Sequence, residues 1–256
     1  VSLTAPTPGP FLVEELHFSD LKNMAKSPAH LRYGVEAGWK PNRAMNVGTI
    51  AHALLLGGDF VVYEGRRHGK KWEEFEAEHE GRMIVTRKER DEAAAMASSV
   101  DRHPIASRLL VGDHERPWTA TMYGRKCAGR IDVAGPDTVE LKTTNDAEPN
   151  RFQRQCLRMA YHAQLAWYQD ARRALGEGPG EAYIVGVESK APYPVTVFHL
   201  TERALLEGRK LTRLWIERLA ACEAADEWPG YVQSVVELDI VEDAGLVIDG
   251  EEVEAA

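Results

Sequence analysis

The 256-residue chain has only three cysteines, Cys127, Cys156 and Cys222. They stand too far apart for a CxxC-type zinc or iron–sulfur site, and their odd number argues against a disulfide framework. There is no run of 18 apolar residues and no basic start followed by an apolar stretch. The expectation is therefore a cytoplasmic chain with no membrane partner. Positive charge is also short: 31 Lys and Arg against 40 Asp and Glu give a net charge of −9. That counts against a broad basic surface for nucleic acid, and leaves a local groove, or carboxylates offset by a metal, as the routes to such a partner. Neither G-x-x-x-x-G-K-[ST] nor G-x-S-x-G occurs, and "GEGPG" at 176–180 follows a helix and precedes a strand, the reverse of a dinucleotide-binding turn. Nucleotide-driven motors, α/β-hydrolases and dinucleotide enzymes lose their support.

What is present suits one large globular domain: 44% hydrophobic and 28% charged residues. Residues 1–16 begin with the proline-rich "VSLTAPTPGP" and read as an extended arm; 17–230 read as a single domain and 231–256 as a tail. Within the domain, Ser19 and then Ser27-Pro28 open two short helices, and "GTIAHALLLGG" is a brief apolar helix closed by two glycines. The charged stretch 64–82 is expected as a solvated helix or loop, and Thr86 with Glu89 makes a capping box. "ERPWTATMY", "RKCAGRIDVA" and "TVELKTT" then read as strands, followed by one long helix from Pro149 to Leu175, a second hairpin, and a helix from Thr201 to Ala225. This order gives an α/β fold with a mixed central sheet flanked by helices.

One hairpin interrupts its own apolar pattern. In "GRIDVAGPDTVELKTT", alternation puts Ile131 and Val133 on one face and Asp132 on the other, while Val139 and Leu141 oppose Glu140 and Lys142. A two-residue loop would pair Val133 with Glu140 and mix charge into both faces. The three-residue loop Gly135-Pro136-Asp137 pairs Val133 with Val139, Ile131 with Leu141 and Asp132 with Glu140, so hydrophobicity selects it. Two adjacent carboxylates need a positive charge between them. A divalent cation, Mg²⁺ or Mn²⁺, fits oxygen ligands from Asp132, Glu140 and the carbonyl of Leu141, with Lys142 on the same face to orient a water or neutralise a phosphoryl oxygen. An ordinary salt-bridged outer face is the bland alternative, and for an isolated D-x7-E-x-K string it is the commoner one.

The same stretch resembles the core of the PD-(D/E)XK nucleases, with Asp132, Glu140 and Lys142 at the acidic and lysine positions; Ile131 stands where the family's proline would be. Gly48 and His52 in "GTIAH" resemble the G-x-x-x-H helix of the RecB-like branch, which implies His52 as a further metal ligand. Gln164 and Tyr168 in "YHAQLAWYQDA" resemble its Q-x-x-x-Y element; on a helix they share a face, with Tyr161 a turn earlier, which implies contacts to DNA. Together with "HFSDLKNMAKSPAHLRY", these segments are similar in order to the exodeoxyribonuclease VIII nuclease domain of phage and prophage type. The resemblance implies a restriction-endonuclease-like fold and 5′→3′ digestion of linear double-stranded DNA ends in recombination, alongside a single-strand annealing protein and often as a homo-oligomeric ring. A structure-specific endonuclease and a non-catalytic DNA-end-binding module are the alternatives. Arg151, Arg154 and Arg158 along the long helix are further candidates for phosphate contacts.

Overall fold

The chain enters the fold through an edge strand, β1 (Leu16–His17), and turns at once into α1 (Phe18–Leu21), which continues as a 3-10 turn over Lys22–Ala25. The computed structural model describes residues 11–38, 43–232, 234–237, 246–248 and 251–253. Residues 1–10 of the expected arm lie outside the described residues. From Phe11 onward the chain is held, since Phe11 meets Trp228 edge-on at 5.0 Å and Leu16 is fully buried. Ser19 does not cap α1: the helix starts one residue before it, at Phe18, and His17 takes the cap position without a side-chain bond. Ser27 does cap α2 (Pro28–Ala37), accepting from the His30 N–H at 3.3 Å, with Pro28 in the first turn.

Helix α3 (Arg43–Leu56) begins before Gly48 and ends at Gly57, whose φ of 86° suits a residue without Cβ. The charged stretch resolves into β2 (Val61–Tyr63), the exposed α4 (Lys70–Glu78) and β3 (Ile84–Thr86), with β2 and β3 paired in parallel. Thr86 and Glu89 form the expected capping box of α5 (Arg87–Arg102), and α6 (Ala106–Leu109) leads into the strands. These are β4 (Asp113–Met122), β5 (Arg125–Ala134) and β6 (Thr138–Thr144). Tyr123 and Gly124, with φ of 53° and 71°, make the two-residue turn between β4 and β5, where both positions must be left-handed.

The long helix expected after β6 is two helices, α7 (Pro149–Arg158) and α8 (Tyr161–Ala174), broken at Ala160 with φ 56°. No glycine or proline marks the break. Packing imposes it: Phe152 of α7 and the nearly continuous buried face of α8 seat in the core along separate axes, with Ala160 itself buried between them. β7 (Ala182–Glu188), β8 (Val195–His199) and α9 (Glu202–Ala225, capped by Thr201) complete the domain, and β9 (Leu246–Ile248) pairs with β10 (Glu251–Val253) in the tail.

The mixed six-stranded sheet has an unusual division of one strand edge. β5 pairs with β4 along its length, while its other edge is shared: β1 takes Cys127 and Ala128, and β6 takes Val133 and Ala134. Between these two partners the edge is open. β6 then runs parallel to β7, and β7 antiparallel to β8. One face packs Val133, Val139, Leu141, Val185 and Val187 under α3 and α5; the other packs Trp118, Ile131 and Ile184 under α8 and α9. The expected α/β fold, a mixed central sheet flanked by helices, is observed.

Arg172 of α8 fastens the β5–β6 turn. Its buried guanidinium donates to the carbonyls of Gly135 (2.8 Å), Asp137 (2.9 Å) and Pro179 (3.1 Å) and to Thr138 Oγ1 (3.0 Å). Removing it takes a charged donor from all four, while the Asp137 and Pro179 carbonyls keep the Gly135 N–H and the Thr138 hydroxyl. Arg172→Ala should lower unfolding free energy by about 3 kcal/mol, visible as a reduced denaturant midpoint at unchanged slope.

Candidate active site

The three-residue turn holds the expected start of the β5–β6 register, Val133 opposite Val139 and Ala134 opposite Thr138. The ladder then stops. Asp132 with Glu140 and Ile131 with Leu141 do not pair; instead Asp132 Oδ2 accepts the Leu141 N–H at 2.9 Å, so a side chain fills the place of the next backbone bond. Ile131 and Val133, expected on one face, go to opposite sides of the sheet, Ile131 among Trp118 and Trp167 and Val133 among Val139 and Leu141. The strand turns over at Asp132.

A cause lies on the next strand. The β4–β5 ladder pairs His114 with Val133 and Arg116 with Ile131 but skips Glu115 and Asp132, and Glu115 has φ 47°. A non-glycine residue in that region costs about 1–3 kcal/mol and is characteristic of functional sites. Glu115 was not among the sequence candidates, although a signal existed. Counting back from the Tyr123-Gly124 turn places Glu115 directly opposite Asp132.

His52 meets these two acids from α3. Its Nδ1 lies 3.7 Å from Asp132 Oδ2 and 3.8 Å from Glu115 Oε1, and one ligand atom from each of the three residues falls within 4.8 Å of the others. Gly48 makes this approach possible, because a Cβ there would sit 2.6 Å from Thr143 Oγ1 on β6. The glycine of G-x-x-x-H lets α3 lie close to the sheet, and His52 follows one turn later. Burial works against a charged His52, yet Glu115 and Asp132 together raise its pKa above the ordinary value. Glu115 also accepts an ion pair from Arg130 Nε at 3.0 Å.

Glu140 stands beside this trio. Its Oε1 accepts from Lys142 Nζ (2.5 Å) and Gln164 Nε2 (2.8 Å), and Gln164 Nε2 also donates to the Tyr168 hydroxyl (2.9 Å). Gln164 and the buried Tyr168, read from the sequence as DNA contacts, both line the cavity described below, and Gln164 also holds the carboxylate. Tyr161 lies under Lys142, whose Nζ is 4.8 Å from its ring centroid. Glu140 Oε2 is buried with no hydrogen-bond partner among the described residues. Burial, then the nearby Asp132, pushes the Glu140 carboxyl up to about 7; burial also raises Asp132, against His52, Lys142 and the Leu141 N–H. Lys142 loses to burial but gains more from Glu140 and Asp132, and stays protonated.

A raised carboxyl pKa has a definite stability consequence. The folded state keeps the Glu140 proton up to pH about 7, whereas the unfolded chain releases it near the ordinary glutamate value of 4.5. The stabilisation is complete below the unfolded value and is lost as pH rises through the folded one. Between pH 5 and 8 in chelator, the metal-free protein should lose on the order of 3 kcal/mol through this group. Denaturant melts of Glu140→Gln should lack that share of the slope.

An unpartnered buried carboxylate oxygen beside two further carboxylates and an imidazole is the donor set of a hard or borderline divalent cation. His52, Glu115 and Asp132, with Glu140 adjoining, fit such an ion. The site opens on both sides. A cavity of about 680 Å³ occupies the open part of the β5 edge, lined by Ser19, Lys22, Arg130, Asp132, Lys142 and Tyr161 among others. A second, of about 600 Å³, lies beside α3 and shares Glu115 and Arg130 with the first. Lys22, missed in the sequence, feels both Lys142 and Glu140, and burial lowers its pKa. Of the helix arginines, Arg151 is paired with Asp146 (2.5 Å), and Arg154 and Arg158 are exposed. No helix among the described residues is long and apolar enough to cross a membrane.

Comparison with known proteins agrees with this architecture. The chain superposes on a crystal structure from Eubacterium rectale bearing the name "Putative exonuclease", with a TM-score of 0.62 over 91% of this chain and 94% of that one. At 15% sequence identity the likeness is one of fold. No curated protein matches the chain. Residues 17–237 match the family model described as "PDDEXK-like domain of unknown function (DUF3799)". With that match running across most of its length, on a mixed sheet with the D-x7-E-x-K hairpin at its centre, the chain belongs to the PDDEXK-like domain family.

Proposed function

We propose that this protein is a Mg²⁺- or Mn²⁺-dependent deoxyribonuclease that digests linear duplex DNA from its ends. The observation that carries the reading is the His52–Glu115–Asp132 cluster set beside the Lys142–Glu140 pair, with Glu115, Asp132 and Lys142 lining an open cavity. When bound, the cation would polarise the scissile phosphate and lower the pKa of a water. The chain's own residues do the rest. Lys142 holds its proton at Nζ, within reach of the cavity, where it donates to a phosphoryl oxygen as negative charge builds there. Gln164 and Tyr168 keep Glu140 from rotating, and Tyr161 covers one side of the ammonium. Lys22 and Arg130 supply positive charge along the cavity for neighbouring phosphates, a local groove in a chain of net charge −9. The carbonyl of Leu141, on the residue that binds Asp132, is a further ligand in this proposal.

The resemblance to exodeoxyribonuclease VIII domains supports 5′→3′ polarity, action in recombination with a single-strand annealing protein, and a ring of identical subunits. Incubating linear and closed circular duplex with Mg²⁺ or Mn²⁺ tests the reading. Linear DNA should yield nucleotides and a residual single strand, the circle should survive, and chelator should stop the reaction. A cut circle would make the protein an endonuclease; cation binding without cleavage of either substrate would make it a DNA-end-binding module.

A further inference from the structure

The cation cluster straddles a boundary. Asp132 lines the first cavity together with Lys142, Tyr161 and Gln164, whereas His52 lines the second together with Thr49, Ala53, His114 and Thr143. Glu115 and Arg130 line both. The two spaces thus lie on opposite sides of one charged ridge, and each falls within the ~300–1,000 Å³ that small-molecule sites occupy.

Cutting a phosphodiester requires the chain to continue on both sides of the phosphorus atom, and the attacking and leaving oxygens stand in line. Lys142, the group placed to donate to a phosphoryl oxygen, belongs to the first cavity alone. We propose that the strand crosses the Glu115–Arg130 ridge and that the cavity beside α3 holds the nucleotide on the far side of the scissile phosphate from Lys142. This rests on the nuclease reading above and extends it with a second nucleotide subsite.

Two details of the ridge favour the crossing. Arg130 is two-thirds exposed at its side chain, and its ion pair with Glu115 uses an acid that belongs to the cation cluster. A cation held in part by Glu115 would weaken that pair, leaving the Arg130 guanidinium for a phosphate at the crossing point, where its fork of donors suits phosphate oxygens. The acid at the cavity's rim, Asp59, is neutralised by Arg82 at 2.6 Å, so the far cavity does not present an open carboxylate to the strand beyond the cluster itself.

Thr49 is the probe. It lies exposed on α3, lines only the far cavity and belongs to neither the cation cluster nor the Lys142 side. Thr49→Trp fills the space, and Thr49→Lys adds a charge to it. In Ca²⁺, anisotropy of a labelled linear duplex should give Thr49→Trp a roughly tenfold weaker Kd, with cleavage in Mn²⁺ slowed in step. Thr49→Lys should bind more tightly at low salt and steepen the salt dependence by about one released counterion. Mn²⁺ titrations without DNA should match wild type for both, which separates loss of the subsite from damage to the cluster. A wild type that binds and cuts while Thr49→Trp does so equally well overturns the subsite alone. A wild type that neither binds nor cuts linear duplex overturns the nuclease reading and the subsite with it.

Discussion

Lys142→Ala should fold, bind Mn²⁺ and cut linear duplex DNA slower by on the order of a thousandfold. The size of the loss follows from where the ammonium sits. Its side chain is about four-fifths buried, braced on the Tyr161 ring and flanked by two carboxylates that keep it charged. A donor fixed in so little water acts on developing phosphoryl charge without reorganising, which is where one group contributes most. Truncation also leaves Glu140 without the cation that offsets its burial, so its pKa should climb further and the variant's residual activity should need a higher pH than wild type. A single-turnover pH profile measures both effects. Unchanged single-turnover rates in a folded Lys142→Ala protein would remove Lys142 from the chemistry.

Cation affinity should fall at least a hundredfold in Asp132→Asn. Asp132 has two tasks, as a member of the His52–Glu115–Asp132 cluster and as acceptor of the Leu141 N–H. The amide oxygen of Asn can still accept that N–H, so this link between β5 and β6 is kept and the loss is one of charge at the ion. Glu115→Gln should also weaken the ion, by about tenfold or more, because its carboxylate shares the cluster. Mn²⁺ titration followed by calorimetry separates two ligand sets. If Glu115→Gln binds like wild type while Glu140→Gln does not, the ion is held by the hairpin acids expected from the sequence and Glu115 serves only to fix Arg130 and His52.

The parts of this site that the sequence reveals are those governed by short-range rules. The capping box at Thr86 and Glu89, the Ser27-Pro28 helix start and the three-residue turn before Thr138 depend on neighbours within a few positions, and each is found as expected. Gly48 and His52 are legible for the same reason, since one helical turn links the close approach to Thr143 with the ligand that follows. The hidden parts need contacts between distant segments. Parity along β5 assumes a strand that keeps its faces, and the turnover at Asp132 depends on the backbone of Glu115 on β4. The break at Ala160 is written in no breaker residue; it exists because two apolar faces dock separately. The four-residue spacing puts Gln164 and Tyr168 on one helix face, but the role of Gln164 as holder of Glu140 depends on a residue 24 positions away. Lys22 is an unremarked lysine until the fold brings its 3-10 turn to the cavity.

Helix α8 carries Gln164, Tyr168 and Arg172 at intervals of four, and so along a single stripe about 12 Å long. Its two ends grip different objects, Glu140 at one and the Gly135–Thr138 corner at the other. The helix is in effect a strut of fixed length spanning the motif from the bend that creates it to the acid that uses it. A disturbance at the bend is therefore delivered to Glu140 as a shift of the whole strut, and damage there should register as misplaced chemistry before it registers as a lost fold.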